Sequence, residues 1–345
     1  MSPRARLRLG LLCVVLGACS PPAGSPRTFI AGPSCPLTGA VFGAVPLGSD
    51  VVLSLFELDA LQQLQLSDCS QQKRWDTAPG PRALISLGPG FASASSNALN
   101  FSPLNGGATS LSTTPGPSSL LATDLDADGN PELVATLGAT AAEAKVVVLR
   151  LTQGTLGVIQ ELPLTASAAL ASVDLDGDSD LDVLVARTNE NRLTVLENVA
   201  GSLVAGADIP VCDEPFALTP VQTPGALPML VVTCRTGGLE LLRQVNGAWT
   251  HQKLPRAGTL YETVVADFDR DGWLDFASVD PFAHRLVLWW GKSSGQFDPP
   301  AEFPTPRGPI LLRAFNFDRD ARPDLLVLAF QDRSVTVFRL KEELR

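Results

Sequence analysis

The chain has 345 residues, 45% of them hydrophobic, and its 36 acidic side chains against 26 Lys and Arg give a formal charge of −10. That is enough apolar material for a buried core, and the acidic balance excludes a basic nucleic-acid-binding surface. With 29 Gly and 28 Pro but no long polar block, the chain reads as one globular domain behind a short leader.

Arg4, Arg6 and Arg8 form a basic head, and residues 9–15 form an apolar run too short to span a bilayer. Leu16-Gly17-Ala18-Cys19 then matches the pattern of a bacterial lipobox. Residues 1–18 are therefore read as a lipoprotein signal peptide and Cys19 as the lipidated residue, with an ordinary signal peptide as the alternative. Cleavage removes three Arg, taking the charge from −10 to −13. Residues 19–35, rich in Pro, Gly and Ser, are expected to be a flexible tether behind that lipidated Cys. The protein is expected to be exported and held on the cell envelope by its lipid. Ser20 after the Cys, by similarity to Gram-negative sorting behaviour, favours the outer membrane.

Residues 36–345 are taken as the folded domain. Its first eighty residues carry strand-like stretches at 39–45, 50–58 and 82–88. From about residue 116 the pattern sharpens into four acidic loops, beginning at Asp124, Asp174, Asp267 and Asn316. Each loop presents side-chain oxygens at its first, third, fifth and ninth positions. These are Asp124, Asp126, Asp128 and Glu132; Asp174, Asp176, Asp178 and Asp182; Asp267, Asp269, Asp271 and Asp275; and Asn316, Asp318, Asp320 and Asp324. The seventh residues, Asn130, Asp180, Trp273 and Arg322, can each offer a backbone carbonyl. Hard oxygen donors in a flexible loop suit calcium, so up to four structural ions are expected.

An EF-hand would start the same way but needs Glu at position twelve and flanking helices. Position twelve here is Ala135, Val185, Ser278 or Val327, and each loop runs into a short strand-forming segment. The sixth position calls for a left-handed backbone, easy for Gly129 and Gly272 and costing another residue about 1 kcal/mol. This ranks the Asp267 loop as the strongest site and the Asn316 loop, with Ala321, as the weakest.

Loop starts lie 50 residues apart (124 to 174) and 49 apart (267 to 316), while the 93 between 174 and 267 hides one more repeat. The same register puts Pro220 at its first loop position, with the acids lost. Leu193, Leu239, Leu286 and Val335 each stand 19 residues after their loop start; about three extra residues around 141–143 delay the first repeat's counterpart to Val146. A repeat of about 48 residues with several short strands is a propeller blade, because one small sheet cannot bury both its faces alone.

The D-x-D-x-D-G-x-x-[DE]-L loops, with the downstream 291–305 stretch, resemble the FG-GAP or VCBS repeats of bacterial surface proteins, related to the β-propeller of integrin α chains. The similarity covers about residues 116–345. It implies an all-β propeller of four-stranded antiparallel blades, seven in number with six as the alternative. The ring is expected to close by an N-terminal segment adding the outer strand to the blade that ends at 334–340.

Four Cys remain beyond Cys13 and Cys19, and an even number in an exported chain favours disulfides. Three connectivities exist; the local one joins Cys35 to Cys69 and Cys212 to Cys234, and four buried thiols are the alternative. The expected function is a binding or scaffold module for a protein or polysaccharide, with a propeller lyase or hydrolase as the competitor. His251 and His284 lie in no metal or triad spacing, and the G-x-S-x-G at 291–295 is followed by Pro299-Pro300 rather than a helix. Of Trp289 and Trp290, adjacent on one strand, one is expected to pack between blades; the other is a candidate ligand platform.

Overall fold

Short runs of β-branched and leucine side chains pair into seven four-stranded antiparallel sheets. The structure, a computed structural model, describes residues 27–138, 144–164, 169–223, 226–254, 258–318, 320 and 322–341. The signal peptide, Cys19, residues 19–26 of the tether, residues 141–143 and Ala321 lie outside the described residues. Blades 1 to 6 span residues 41–76, 83–112, 117–163, 169–210, 215–253 and 263–304, and blade 7 spans 309–340. The innermost strands neighbour one another around the ring, from Val41–Leu47 in blade 1 to Pro309–Phe315 in blade 7 and back to blade 1.

Blade 7 takes its outer strand from the other end of the chain: Phe29–Pro36 pairs antiparallel with Ser334–Leu340, Phe29 opposite Leu340 and Pro36 opposite Ser334. Closure by the N-terminal segment is thus as expected. The tether, however, ends earlier than residue 35. Phe29 is buried against Phe268 and Trp290, and that apolar contact draws the segment into the sheet.

The second strand of a blade is covered on both faces, so it reads as a continuous apolar run rather than an alternation. Glu132–Leu137, Asp275–Asp280 and Asp324–Ala329 are buried throughout. One apolar cluster fills each of the seven interfaces between adjacent blades. Alternate residues serve opposite interfaces: Leu133 and Ala135 pack toward blade 2, and Val134 toward blade 4. Trp289 packs toward blade 5 and Trp290 toward blade 7, both buried, so neither is the platform considered above.

Both local disulfides are present. Cys35–Cys69 ties the closing strand to blade 1, and Cys212–Cys234 ties the entry of blade 5 to its second strand, with Cα–Cα distances of 5.2 and 6.0 Å. Blade 5 differs from its neighbours. Pro220 lies inside the strand Pro215–Thr223, opposite Leu230, and Thr223 already pairs with Ala226. Without acidic side chains to accept its backbone N–H groups, a loop there would leave donors unpaired, so the two strands lengthen and pair instead. The register of the repeat survives this change. Val146, Leu193, Leu239, Leu286 and Val335 are each the second residue of their blade's third strand.

Candidate metal centres in the acidic loops

All four acidic loops connect the innermost strand of a blade to the second, and since the innermost strands run the same way around the ring, the loops gather on one face. Within blades 3, 4 and 6 the first-position carboxylate closes the loop from inside. Asp124 accepts the Asp128 and Gly129 N–H groups at 3.1 and 2.8 Å, and Asp267 accepts those of Asp271 and Gly272 at 3.1 and 2.9 Å. Asp174 accepts from Gly177 and Ser179 at 2.7 and 3.1 Å. These contacts require two left-handed residues per loop rather than the one expected: Ala127 and Gly129, Gly177 and Ser179, Arg270 and Gly272. Blade 4 therefore has a Gly at one of its two demanding positions, as the other two loops do, with Ser179 taking the left-handed sixth position and Gly177 the fourth.

The ninth-position acid is a buried clip. Glu132, Asp182, Asp275 and Asp324 each accept the backbone N–H of the loop's second residue, at 2.9 to 3.1 Å. The other oxygen of Asp182 and of Asp275 accepts an N–H from the third strand, from Asn198 at 2.8 Å and Gly291 at 2.7 Å. Burial raises the carboxyls of Asp182, Asp269 and Asp324 above the ordinary range. It pushes Asp275 up to about 7, against the pull of its two backbone donors. In each loop the seventh residue, Asn130, Asp180, Trp273 or Arg322, donates its N–H to the fifth-position carboxylate.

Carboxylate oxygens converge to within 4.8 Å of one another in three loops, from Asp124, Asp126 and Glu132, from Asp174, Asp176 and Asp178, and from Asp267, Asp269 and Asp271. These donor sets fit a hard divalent ion. The blade 7 loop fits less well: the Asn316 amide donates to the Asp320 carbonyl, turning a donor where the other loops turn an acceptor.

Residues 267–327, which run from the blade 6 loop through the second strand of blade 7, match the FG-GAP-like repeat family. The chain is a seven-bladed β-propeller that carries an FG-GAP-like repeat in blades 6 and 7. No curated protein matches it in sequence. Among solved structures, BBS1N in complex with ARL6DN is similar over 92% of this chain and 98% of that one, with 12% identity and a TM-score of 0.66. U3-55K is similar over 90% and 98%, at 12% identity and a TM-score of 0.64. A chain of Kuenenia stuttgartiensis hydrazine synthase is similar over 88% and 96%, at 13% identity and a TM-score of 0.63. At such identities the likeness is one of fold.

The remaining polar candidates of this propeller have structural partners. The His251 ring pairs with Glu240 at 3.1 Å, and the His284 ring accepts the Gly308 N–H at 3.1 Å. Ser293–Gly295 is a single 3-10 turn. On the face opposite the acidic loops, the starts of the innermost strands surround a channel of about 660 Å³ lined in part by Phe42, Arg82, Phe216, Tyr261 and Phe330. Nothing in the sequence periodicity singled these residues out, because they lie at strand starts and turns of different blades.

Proposed function

We propose that this propeller is a calcium-stabilised lipoprotein of the cell envelope that works as a non-catalytic binding or scaffold module for a protein or glycan. The observation that carries the binding role is the aromatic and cationic channel mouth. Phe42 stands 5.4 Å from Phe56 and 5.2 Å from Phe330, and Phe216 stands 5.0 Å from Tyr261. Guanidinium groups lie over these rings, Arg82 at 5.3 Å from Phe56 and Arg235 at 4.4 Å from Phe216. Aromatic and Arg side chains are enriched where surfaces recognise partners. Support for the anchor is the lipobox ending at Cys19, and for calcium the three convergent carboxylate sets.

A glycan array probed with the purified protein, and with Phe216→Ala and Arg82→Ala variants, tests the binding role. Retained glycans that both variants lose support it, and shortened glycan products in place of retention would favour the lyase or hydrolase instead. Chelation by EGTA is expected to lower the melting temperature, and an unchanged transition would remove calcium from the reading. Wild-type protein is expected in the detergent phase and Cys19→Ala in the aqueous phase. Finding both in the aqueous phase would leave a secreted propeller.

A further inference from the structure

Four residues beyond the register residues Val146, Leu193, Leu239, Leu286 and Val335 stand Arg150, Glu197, Arg243, Trp290 and Arg339, in blades 3 to 7. In blade 3 the Arg150 guanidinium lies 2.5 Å from Asp126 and 2.8 Å from Glu132, the third and ninth positions of its loop. In blade 7 Arg339 addresses the same two positions, 3.2 Å from Asp318 and 3.8 Å from Asp324. Blade 6 has Trp290 at this place and receives its cation from elsewhere in the chain. Arg27, just ahead of the closing strand, lies 5.2 Å over the Trp290 ring and reaches Asp269 at 2.7 Å and Asp271 at 3.3 Å.

Blades 4 and 5 supply the contrast. Blade 5 has no acidic loop, and its Arg243 turns to the Gln252 amide oxygen at 3.4 Å. Blade 4 has Glu197 at the equivalent place, and among the described residues no cation pairs with Asp174, Asp176, Asp178, Asp180 or Asp182. A calcium ion sits about 2.3–2.6 Å from its oxygens. It would therefore share carboxylates with a guanidinium already in contact with them, and two cations at such separation repel. The guanidinium is also covalently tethered beside its acids, so it competes at a high effective concentration.

We infer that Arg150, Arg27 and Arg339 are the resident cations of the loops in blades 3, 6 and 7, and that the blade 4 loop alone takes up a divalent ion. The blade 4 ion rests on the calcium reading above; the arginine assignment rests on the contacts themselves. It overturns the top of the ranking by turn residue, because the Asp267 loop, with its favourable Gly272, is plugged by Arg27, while the Asn316 loop stays without an ion.

The test is calcium stoichiometry by equilibrium dialysis, with terbium luminescence as a second readout, on the purified full-length chain in detergent. Trp273 lies within the blade 6 loop, so a rise in indole-sensitised terbium emission on Arg27→Gln reports on blade 6, while Trp249, packed against the cluster that holds Leu175 of the blade 4 loop, sets the wild-type background. Wild type is expected to bind one calcium ion, lost in Asp178→Asn, with weak terbium emission. Arg27→Gln is expected to gain one ion and raise the emission, and Arg150→Gln to gain one ion without that rise. Arg150 is exposed at the surface, so its variant keeps the fold. Two or more ions in wild type, or no gain in either variant, overturns the resident-cation assignment and leaves calcium binding standing. No calcium in wild type or any variant overturns both.

Discussion

Metal-stripped protein is expected to lose stability as pH rises from about 4 to 7, opposite to the behaviour of most acidic proteins, and Asp275 is the main reason. Its side chain is fully buried, one oxygen accepting the Phe268 N–H at 2.9 Å and the other the Gly291 N–H at 2.7 Å. Burial pushes its carboxyl from 3.8 up to about 7. Between those values the folded chain keeps a proton that the unfolded chain has released, so each pH unit favours unfolding. The effect is absent below about pH 4, grows to pH 7 and is constant above. At about 1.36 kcal/mol per unit, a rise from 3.8 to about 7 amounts to about 4 kcal/mol. Asp182, Asp269 and Asp324 are raised by burial too and act in the same direction. Urea denaturation followed by Trp fluorescence between pH 4.5 and 8 measures the slope. Asp275→Asn keeps one acceptor but turns an amide donor toward the other N–H, which costs about 1–3 kcal/mol at pH 4.5. It removes the titration, so its deficit should shrink or reverse by pH 8. Calcium at the blade 4 acids should offset the Asp182 part of the slope, since the ion binds deprotonated carboxylates, and leave the Asp275 part in place, because Arg27 holds the blade 6 loop. A metal-free stability that rises between pH 5 and 7, or an Asp275→Asn slope equal to wild type, would refute this account.

Removing either disulfide by a Cys→Ser pair, Cys35 with Cys69 or Cys212 with Cys234, should cost about 3–4 kcal/mol in the chain-entropy estimate, given sequence separations of 34 and 22; urea midpoints under non-reducing conditions check this. Gly291→Ala should destabilise by about 1–3 kcal/mol or more, because a Cβ there would lie 2.2 Å from the Leu274 carbonyl oxygen; a midpoint within error of wild type would contradict it. Deleting residues 1–36 in a Cys69→Ser background removes the outer strand of blade 7 and leaves Ser334–Leu340 as a bare edge, so more self-association than the intact chain shows is expected by size-exclusion chromatography.

The blades and their loops were legible because both depend on local requirements. Alternate oxygens must converge, and a strand covered on both sides must be mostly apolar, as in the run Leu133 to Ala135. Blade 5 was legible in register but not in shape: Val221 to Val232 fits a repeat frame whether the chain between the strands is a loop or a tight hairpin. The left-handed fourth position is not legible in the sequence, because Ala127 and Arg270 carry no composition signal there. The buried clip made by Glu132, Asp182, Asp275 and Asp324 is legible only as a ligand set, since a backbone N–H partner leaves no mark in the sequence. Arg150 and Arg339 could have been found, because they recur at one register position beside acidic loops. Arg27 could not, since it meets Asp269 only after the ring closes. The early end of the tether was hidden by the small residues around Phe29 and Ile30.

The closing strand gives this ring a definite path for mechanical load. Any pull on the chain upstream of Phe29 is resisted first by the Arg27 pairs with Asp269 and Asp271, then by the ladder between Phe29–Pro36 and Ser334–Leu340. Peeling that strand from its free end runs only as far as Cys35, where the bond to Cys69 carries the tension covalently into blade 1. In the oxidised protein, strain entering at the N-terminus is therefore shared by blades 6, 7 and 1, and a reduced protein under the same force would unzip its outer strand and open the ring.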